Sequence, residues 1–226
     1  MKLDGIERRD GRLKRDLAWV LGCFLLAALS IVFVDVPLTH RLAEGGLNLP
    51  AVVGSILGGA KYYGQGFSAL MVLAFMLSVA PERIEDAAFM VVALLATFVL
   101  VHFLKSATSR ARPAVFLETG RMWWFFEGFF HSRYCSLPSA HTASAFAMSA
   151  ALARPFRKAG WVLFLAAGLC GVSRIWDLQH YVSDVIVGAA VGAWIGYGVY
   201  RWRWSRWAAA LLVKAARPRG HQGQAT

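Results

Sequence analysis

Three short polar runs interrupt an otherwise apolar chain, and their residue types suit one chemistry. They are Lys105…Arg112-Pro113, Pro138-Ser139-Ala140-His141 and Ser173-Arg174…His180…Asp184. His180 and Asp184 are four residues apart, which on a helix makes them neighbours on one face. A carboxylate there can accept the Nδ1 proton of the imidazole, fix its tautomer and leave Nε2 as a nucleophile. Arg174 precedes the pair closely enough to clamp the same substrate. Ser139 stands before an apolar helical run, a good N-cap position. The amides of Ala140 and His141 would then open a helix, where anions bind. His141 beside them could protonate a departing oxygen. Lys105 and Arg112 are seven apart, two turns if helical, so one face would carry both until Pro113 stops the helix. Arg suits bidentate contact with phosphate oxygens, while Lys acts as a point charge. The set points to transfer of a phosphoryl group through a histidine, with no metal and no cofactor. The cations supply the charge stabilisation that a metal otherwise would.

Each run also has a plainer reading. Cations at the end of a span snorkel to the interface, a serine caps helices with no ligand nearby, and a His–Asp pair can decorate a helix surface. Occurrence of all three together, in order, favours the chemical reading. No carboxylate cluster suited to Mg²⁺ lies near them. Cys23, Cys135 and Cys170 form no C-x-x-C pair and read as small apolar residues.

The elements that must position these residues are membrane helices. The 226 residues are 58% hydrophobic and 16% charged, with a mean hydropathy of +0.50, where soluble domains average about 25% charged. Apolar runs fall at Leu17–Val36, Gly64–Ala80, Asp86–Leu104, His141–Ala153, Trp161–Val172 and Val182–Tyr200. The expected fold is all-α: a polytopic membrane bundle of about six transmembrane helices. It would run over residues 17–207, between a basic N-terminal tail, 1–16, and a disordered tail, 208–226. Leu47–Gly59 is brief and glycine-rich, and fits an interfacial helix better than a span. Residues 201–207 alternate Arg and Trp, as interfacial anchors do. Gly188, Gly192 and Gly196 make a smooth stripe on the last span, for packing inside the bundle or for a homodimer face.

The net charge of +11 does not read as nucleic-acid binding, because the basic residues cluster at the ends of apolar runs. Six spans put both termini on one side. That side carries sixteen Lys/Arg, the other eight, four of which belong to the polar runs. The tails are therefore expected in the cytoplasm and the three runs on the extracytoplasmic, periplasmic side of a bacterial inner membrane. Phe116, Trp123, Trp124, Phe125, Phe126, Phe129 and Phe130 make the link between the first two runs aromatic. Such a link suits the bilayer surface, where it could guide a lipid headgroup or simply anchor. Arg110, Arg121, Glu127, His131 and Arg133 receive no firm role.

The three runs resemble the signature of the type-2 phosphatidic acid phosphatase family, also called lipid phosphate phosphatases: K-x6-R-P, then P-S-G-H, then S-R-x5-H-x3-D. They cover Lys105 to Asp184, and the one departure is Ala140 in place of glycine. The resemblance implies that His180 is the nucleophile that forms a phosphohistidine, oriented by Asp184, and that His141 is the general acid. It implies that Lys105, Arg112, Arg174, Ser139 and the Ala140 amide hold the phosphate, without a metal. The expected substrates are lipid phosphates or diphosphates: undecaprenyl diphosphate, phosphatidic acid, phosphatidylglycerol phosphate or lipid A. Phosphotransfer to an acceptor other than water would use the same residues. A lipid carrier would not require the His180–Asp184 pair, and the matched broken halves usual in transporters are not visible.

Overall fold

The computed structural model describes residues 2–45, 49–125 and 131–216, with side chains from Ala18 onward. Helix α1 (Lys2–Phe33) runs through the basic N-terminal segment into the first apolar run and bends by 52° into α2 (Asp35–Ala43). Pro37 explains the bend: it has no N–H to give the carbonyl four residues back. Helix α3 (Ala51–Ala60) breaks by 70° through Lys61–Gly64 into α4 (Gly66–Val79). The segment expected to lie in the interface is thus the first arm of a broken helix pair; Leu47 is outside the described residues. Then come α5 (Ile84–Thr108), α6 (Pro113–Thr119), α7 (Ala140–Ala153), α8 (Gly160–Trp176), α9 (Val182–Gly198) and α10 (Arg203–Ala216).

The protein is an all-helical, polytopic membrane protein. Residues 81–108 and 157–176 are long and apolar enough to cross a bilayer, and each bent pair (α1–α2, α3–α4, α9–α10) passes the same test jointly. Helix α7 makes a sixth segment. Its 14 residues fall short of the ~20 of a full span, but it is wrapped by its neighbours, with Ala143, Ala145, Ala147, Ala150 and Ala151 at zero exposure.

Glycines set the central packing. A Cβ on Gly188, Gly192 or Gly196 would lie 2.7, 2.1 or 2.4 Å from the carbonyl oxygens of Ser139, Ala143 and Ala147. Helices α7 and α9 therefore run parallel with backbones in contact. The stripe is spent inside the bundle, which removes it as a homodimer face. Around this pair, α8 is antiparallel to α7, since Gly171 packs on Thr142 and Gly160 on Ala153. Helix α5 is antiparallel too: Thr108 near its C-terminus bonds the Leu137 carbonyl just before α7, at 3.1 Å.

The segment expected to be a disordered tail is helical as far as Ala216. Helix α10 turns 72° from α9 and buries Ala209 and Val213 against the core formed by α5, α7 and α9. It orders because Ser205, Ala209 and Val213 turn inward while Arg203, Arg206 and Lys214 remain exposed. Residues 217–226 are outside the described residues. Trp204 and Trp207 are exposed, as interfacial anchors are.

Candidate active site

The C-termini of α5 and α8 and the N-termini of α7 and α9 meet at one end of the bundle, and they carry all three polar runs. Ser139 caps α7: its Oγ accepts from the Thr142 amide at 3.4 Å and the Thr142 hydroxyl at 2.9 Å, while its own amide donates to the Asp184 carbonyl at 3.0 Å. The Ser139 hydroxyl proton is left to donate elsewhere. Ala140 and His141 follow, half-buried, in the first turn, whose amides have no intrahelical acceptor.

Asp184 is fully buried, and both of its oxygens accept hydrogen bonds. Its Oδ2 accepts from the Tyr181 amide at 2.9 Å and the Ser136 hydroxyl at 2.5 Å, and its Oδ1 accepts from Arg110 Nη1 at 2.6 Å. His180 Nδ1 lies 3.6 Å from Oδ2 and 3.4 Å from Ser136 Oγ. The pairing expected from spacing is present, but its backbone is different. His180 precedes α9, which starts at Val182, and Asp184 is the third helical residue, reaching back to the N-cap amide. A carboxylate in that position satisfies an orphan donor of the helix start, so the turn that caps α9 also aims Asp184 at His180. Burial holds His180 well below the ordinary imidazole value, at about 4, against the pull of Asp184 towards protonation.

The cations come from three separate elements. Lys105 is the last-turn residue of α5, buried, with its ammonium donating to the Cys135 carbonyl. Arg112 does not share its helix. Helix α5 ends at Thr108, Ser109 is left-handed at φ 41°, and Arg112 is extended at ψ 157° before Pro113. Proline bars the helical conformation from the residue before it, so the unwinding lets Arg112 swing over the site independently. It donates to Gln179 Oε1 at 2.5 Å and to the Ser132 carbonyl at 2.9 Å. Arg174, in the last turn of α8, pairs with Asp177 at 3.1 Å, while its buried Nε has no hydrogen-bond partner among the described residues. Lys105, Arg112 and Arg174 all act electrostatically on His141, and Lys105 and Arg112 also act on His180. Burial and the neighbouring Arg174 push the Arg112 pKa down. This recess of crowded cations, with an unused buried donor, would be relieved by an anion.

All eight residues singled out from sequence thus lie on or beside the helix ends that meet here, with Arg112 in the extended link before α6 and His180 in the turn before α9. Three more were missed or left without a role. Ser136 sits in the gap between two motifs and bridges His180 to Asp184. Arg110, given no firm role from sequence, is fully buried, held between the rings of Tyr181 at 4.1 Å and Trp123 at 4.9 Å. Asp35 contacts it from α2. The signal for Asp35 was available, since an acid at the end of an apolar span is costly unless it has work to do. In the aromatic link, Trp123 and Phe125 stack at 5.5 Å; Phe126, Glu127, Phe129 and Phe130 are outside the described residues. A cavity of about 1370 Å³ lies between α1, α7, α8 and α9 and is lined by none of the motif residues.

Residues 86–208 match the PAP2 superfamily, a stretch that contains all three runs. The chain belongs to the PAP2 superfamily. It is similar to lipid A 1-phosphatase of Rhizobium johnstonii, at 39% identity over 95 residues, 42% of this chain and 38% of that protein. It is also similar to undecaprenyl-diphosphatase BcrC of Bacillus subtilis, at 41% identity over 71 residues, 31% of this chain and 37% of that one. The matched stretches span less than two-fifths of the length of either relative. Among solved structures, Aquifex aeolicus LpxE aligns with a TM-score of 0.57 at 26% identity, over 72% of this chain and 92% of that one. A transmembrane PAP2-type phosphatidylglycerolphosphate phosphatase from Bacillus subtilis shares the fold, with a TM-score of 0.59 at 17% identity over 90% of this chain and 98% of that one. Within this PAP2 chain, Ala140, the one departure from the signature, is the half-buried first residue of α7.

Proposed function

We propose that the protein is an integral membrane phosphatase that hydrolyses a lipid phosphomonoester or diphosphate through a phosphohistidine. The observation that carries this is the convergence of two histidines and three cations on one recess at the end of an apolar bundle. His180 Nε2 attacks phosphorus, the bond to the lipid or diphosphate oxygen breaks, and His141 gives that oxygen a proton. Lys105, Arg112 and Arg174, with the Ser139 hydroxyl and the Ala140 amide, hold the phosphoryl oxygens and offset their charge in the transition state. Water then attacks the phosphohistidine, His141 takes its proton, and phosphate leaves. Asp184 and Ser136 hold Nδ1 throughout. No resident metal takes part.

The substrate class follows from the site's place at the membrane boundary and from the lipid A and undecaprenyl diphosphate named for its relatives. The site faces the extracytoplasmic side of a bacterial inner membrane and both termini the cytoplasm. The excess of Lys/Arg at the opposite end of the bundle supports this orientation.

The test is phosphate release by detergent-purified wild type and His180→Ala, in excess EDTA, over lipid A, undecaprenyl diphosphate, phosphatidic acid and phosphatidylglycerol phosphate. Wild type should release phosphate and the variant should not, though it folds. Equal release by both, or a requirement for metal, would overturn the mechanism.

A further inference from the structure

The buried charges behind His180 do not end at Asp184. Arg110 donates Nη1 to Asp184 Oδ1 at 2.6 Å and Nη2 to Asp35 Oδ2 at 2.7 Å, and all three side chains are at zero exposure. Asp35 is tied in further by the Ser30 hydroxyl at 2.9 Å, the Ser183 amide at 3.1 Å and the Ser183 hydroxyl, which also accepts from Arg110 Nη1 at 2.6 Å. One guanidinium is therefore shared by two carboxylates, one from the first span and one from the last.

The charge count gives this sharing a consequence. Arg110 and Asp184 alone would sum to zero, and His180 would face a neutralised pair. Asp35 adds the second negative charge, so the cluster presents one net negative charge to the imidazole. That charge is needed when His180 becomes cationic on bonding to phosphorus. Without Asp35, Arg110 would lie wholly on Asp184. The groups facing His180 from the other side are cations: Lys105 on α5 and Arg112 before α6, with Arg174 on α8 and the imidazole of His141 across the recess. They oppose a cationic ring, so the compensating charge must come from behind.

We propose that Asp35 is a positioning residue for the reaction, acting on His180 through Arg110 and Asp184. The proposal rests on the histidine-phosphatase reading, and the variants Asp35→Asn and Ser30→Ala test it. Two measurements are made: steady-state kinetics, giving kcat and KM on a lipid phosphate that wild type hydrolyses, and the protonation midpoint of His180 by histidine-labelled NMR, with the resonance assigned from His180→Ala.

Asp35→Asn should lower kcat on the order of tenfold, within what residues sharing one charge network exert on each other. KM should stay within twofold, and the His180 midpoint should fall. A residue that merely stabilised the bend would lower yield or melting temperature and leave both quantities unchanged per folded molecule; that result overturns the proposal. Should Asp35→Asn not fold, Ser30→Ala decides. It keeps every charge but removes a donor from Asp35, which then draws Arg110 from Asp184, so the midpoint should rise by a few tenths of a unit; no movement overturns the proposal. A wild type that released no phosphate would sink the phosphatase reading, while the NMR midpoint would still report whether Asp35 reaches His180.

Discussion

Ser136 offers a sharp test of how the nucleophile is held. Ser136→Ala removes a hydroxyl that lies 2.5 Å from Asp184 Oδ2 and 3.4 Å from His180 Nδ1. A hydrogen bond to a charged group contributes about 1.5–3 kcal/mol. Part of that is recoverable, because His180 can close its 3.6 Å gap to Asp184 once the hydroxyl is gone. The net loss should be about 1–2 kcal/mol, or roughly five- to thirtyfold in kcat. The fold should survive, since Asp184 keeps Arg110 and the Tyr181 amide, and the Ser136 amide still bonds the Arg110 carbonyl at 3.0 Å. KM should hold, because the hydroxyl touches the Nδ1 side of the ring and the phosphate meets Nε2. The assay is initial rate against lipid concentration in detergent, with a melting curve to count folded protein. A kcat within twofold of wild type would refute the reasoning, and so would a raised KM at constant kcat.

Two further outcomes follow from the same geometry. Because His180 is held near 4, its imidazole is neutral above that value; the acid limb of kcat/KM should fall as the pH drops through about 4, after correction for the substrate's own titration, while His141, which must carry a proton to act as the acid, sets the alkaline limb, and an acid limb at the ordinary value of about 6.5 would contradict the buried setting. Gly192→Ala would put a methyl 2.1 Å from the Ala143 carbonyl and should cost about 3 kcal/mol or more by forcing α7 off α9, whereas Gly168→Ala, with open space around its Cβ, should melt like wild type.

Most of the residues that meet at this end were legible in the sequence, because residue type and order survive without coordinates. His141, His180, Asp184 and the three cations were all legible, as was the cap at Ser139. What it misled on was backbone. A seven-residue spacing suggested one helix face for Lys105 and Arg112, yet a left-handed Ser109 and the constraint of Pro113 make them independent arms. A four-residue spacing suggested a His–Asp pair within one helix, yet the pair is made by a helix cap. Both errors come from reading i,i+4 and i,i+7 periodicity across helix ends, where the periodicity no longer applies. Ser136, Arg110 and Asp35 lay beyond motif reasoning for another reason: their partners are 48, 74 and 75 residues away in sequence. Burial of charge in an apolar chain could have flagged Arg110 and Asp35, while the neutral Ser136 carries no such signal.

The glycine stripe explains how such a site stays in register inside a lipid bilayer. Lipid tails supply no hydrophobic force to press helices together, so contact must come from close packing of small residues. On α7 and α9 that contact repeats at the same offset three times: Ser139 on Gly188, Ala143 on Gly192, Ala147 on Gly196. The fit is discrete, because each glycine is seated on a carbonyl and the next seat is a full helical turn away. Sliding α9 along α7 by less than a turn would drive a backbone carbonyl into a neighbouring side chain. His141 rides on one helix and Asp184, with the His180 turn, on the other, so the distance between acid and nucleophile is set by this seat. The cations are held differently. They come from α5, the extended link and α8, on long side chains that could follow a phosphate through the proposed transfer. In the proposed mechanism the two groups that would exchange bonds and protons are thus fixed by backbone contact, and the groups that would only follow charge are left on longer, separate arms.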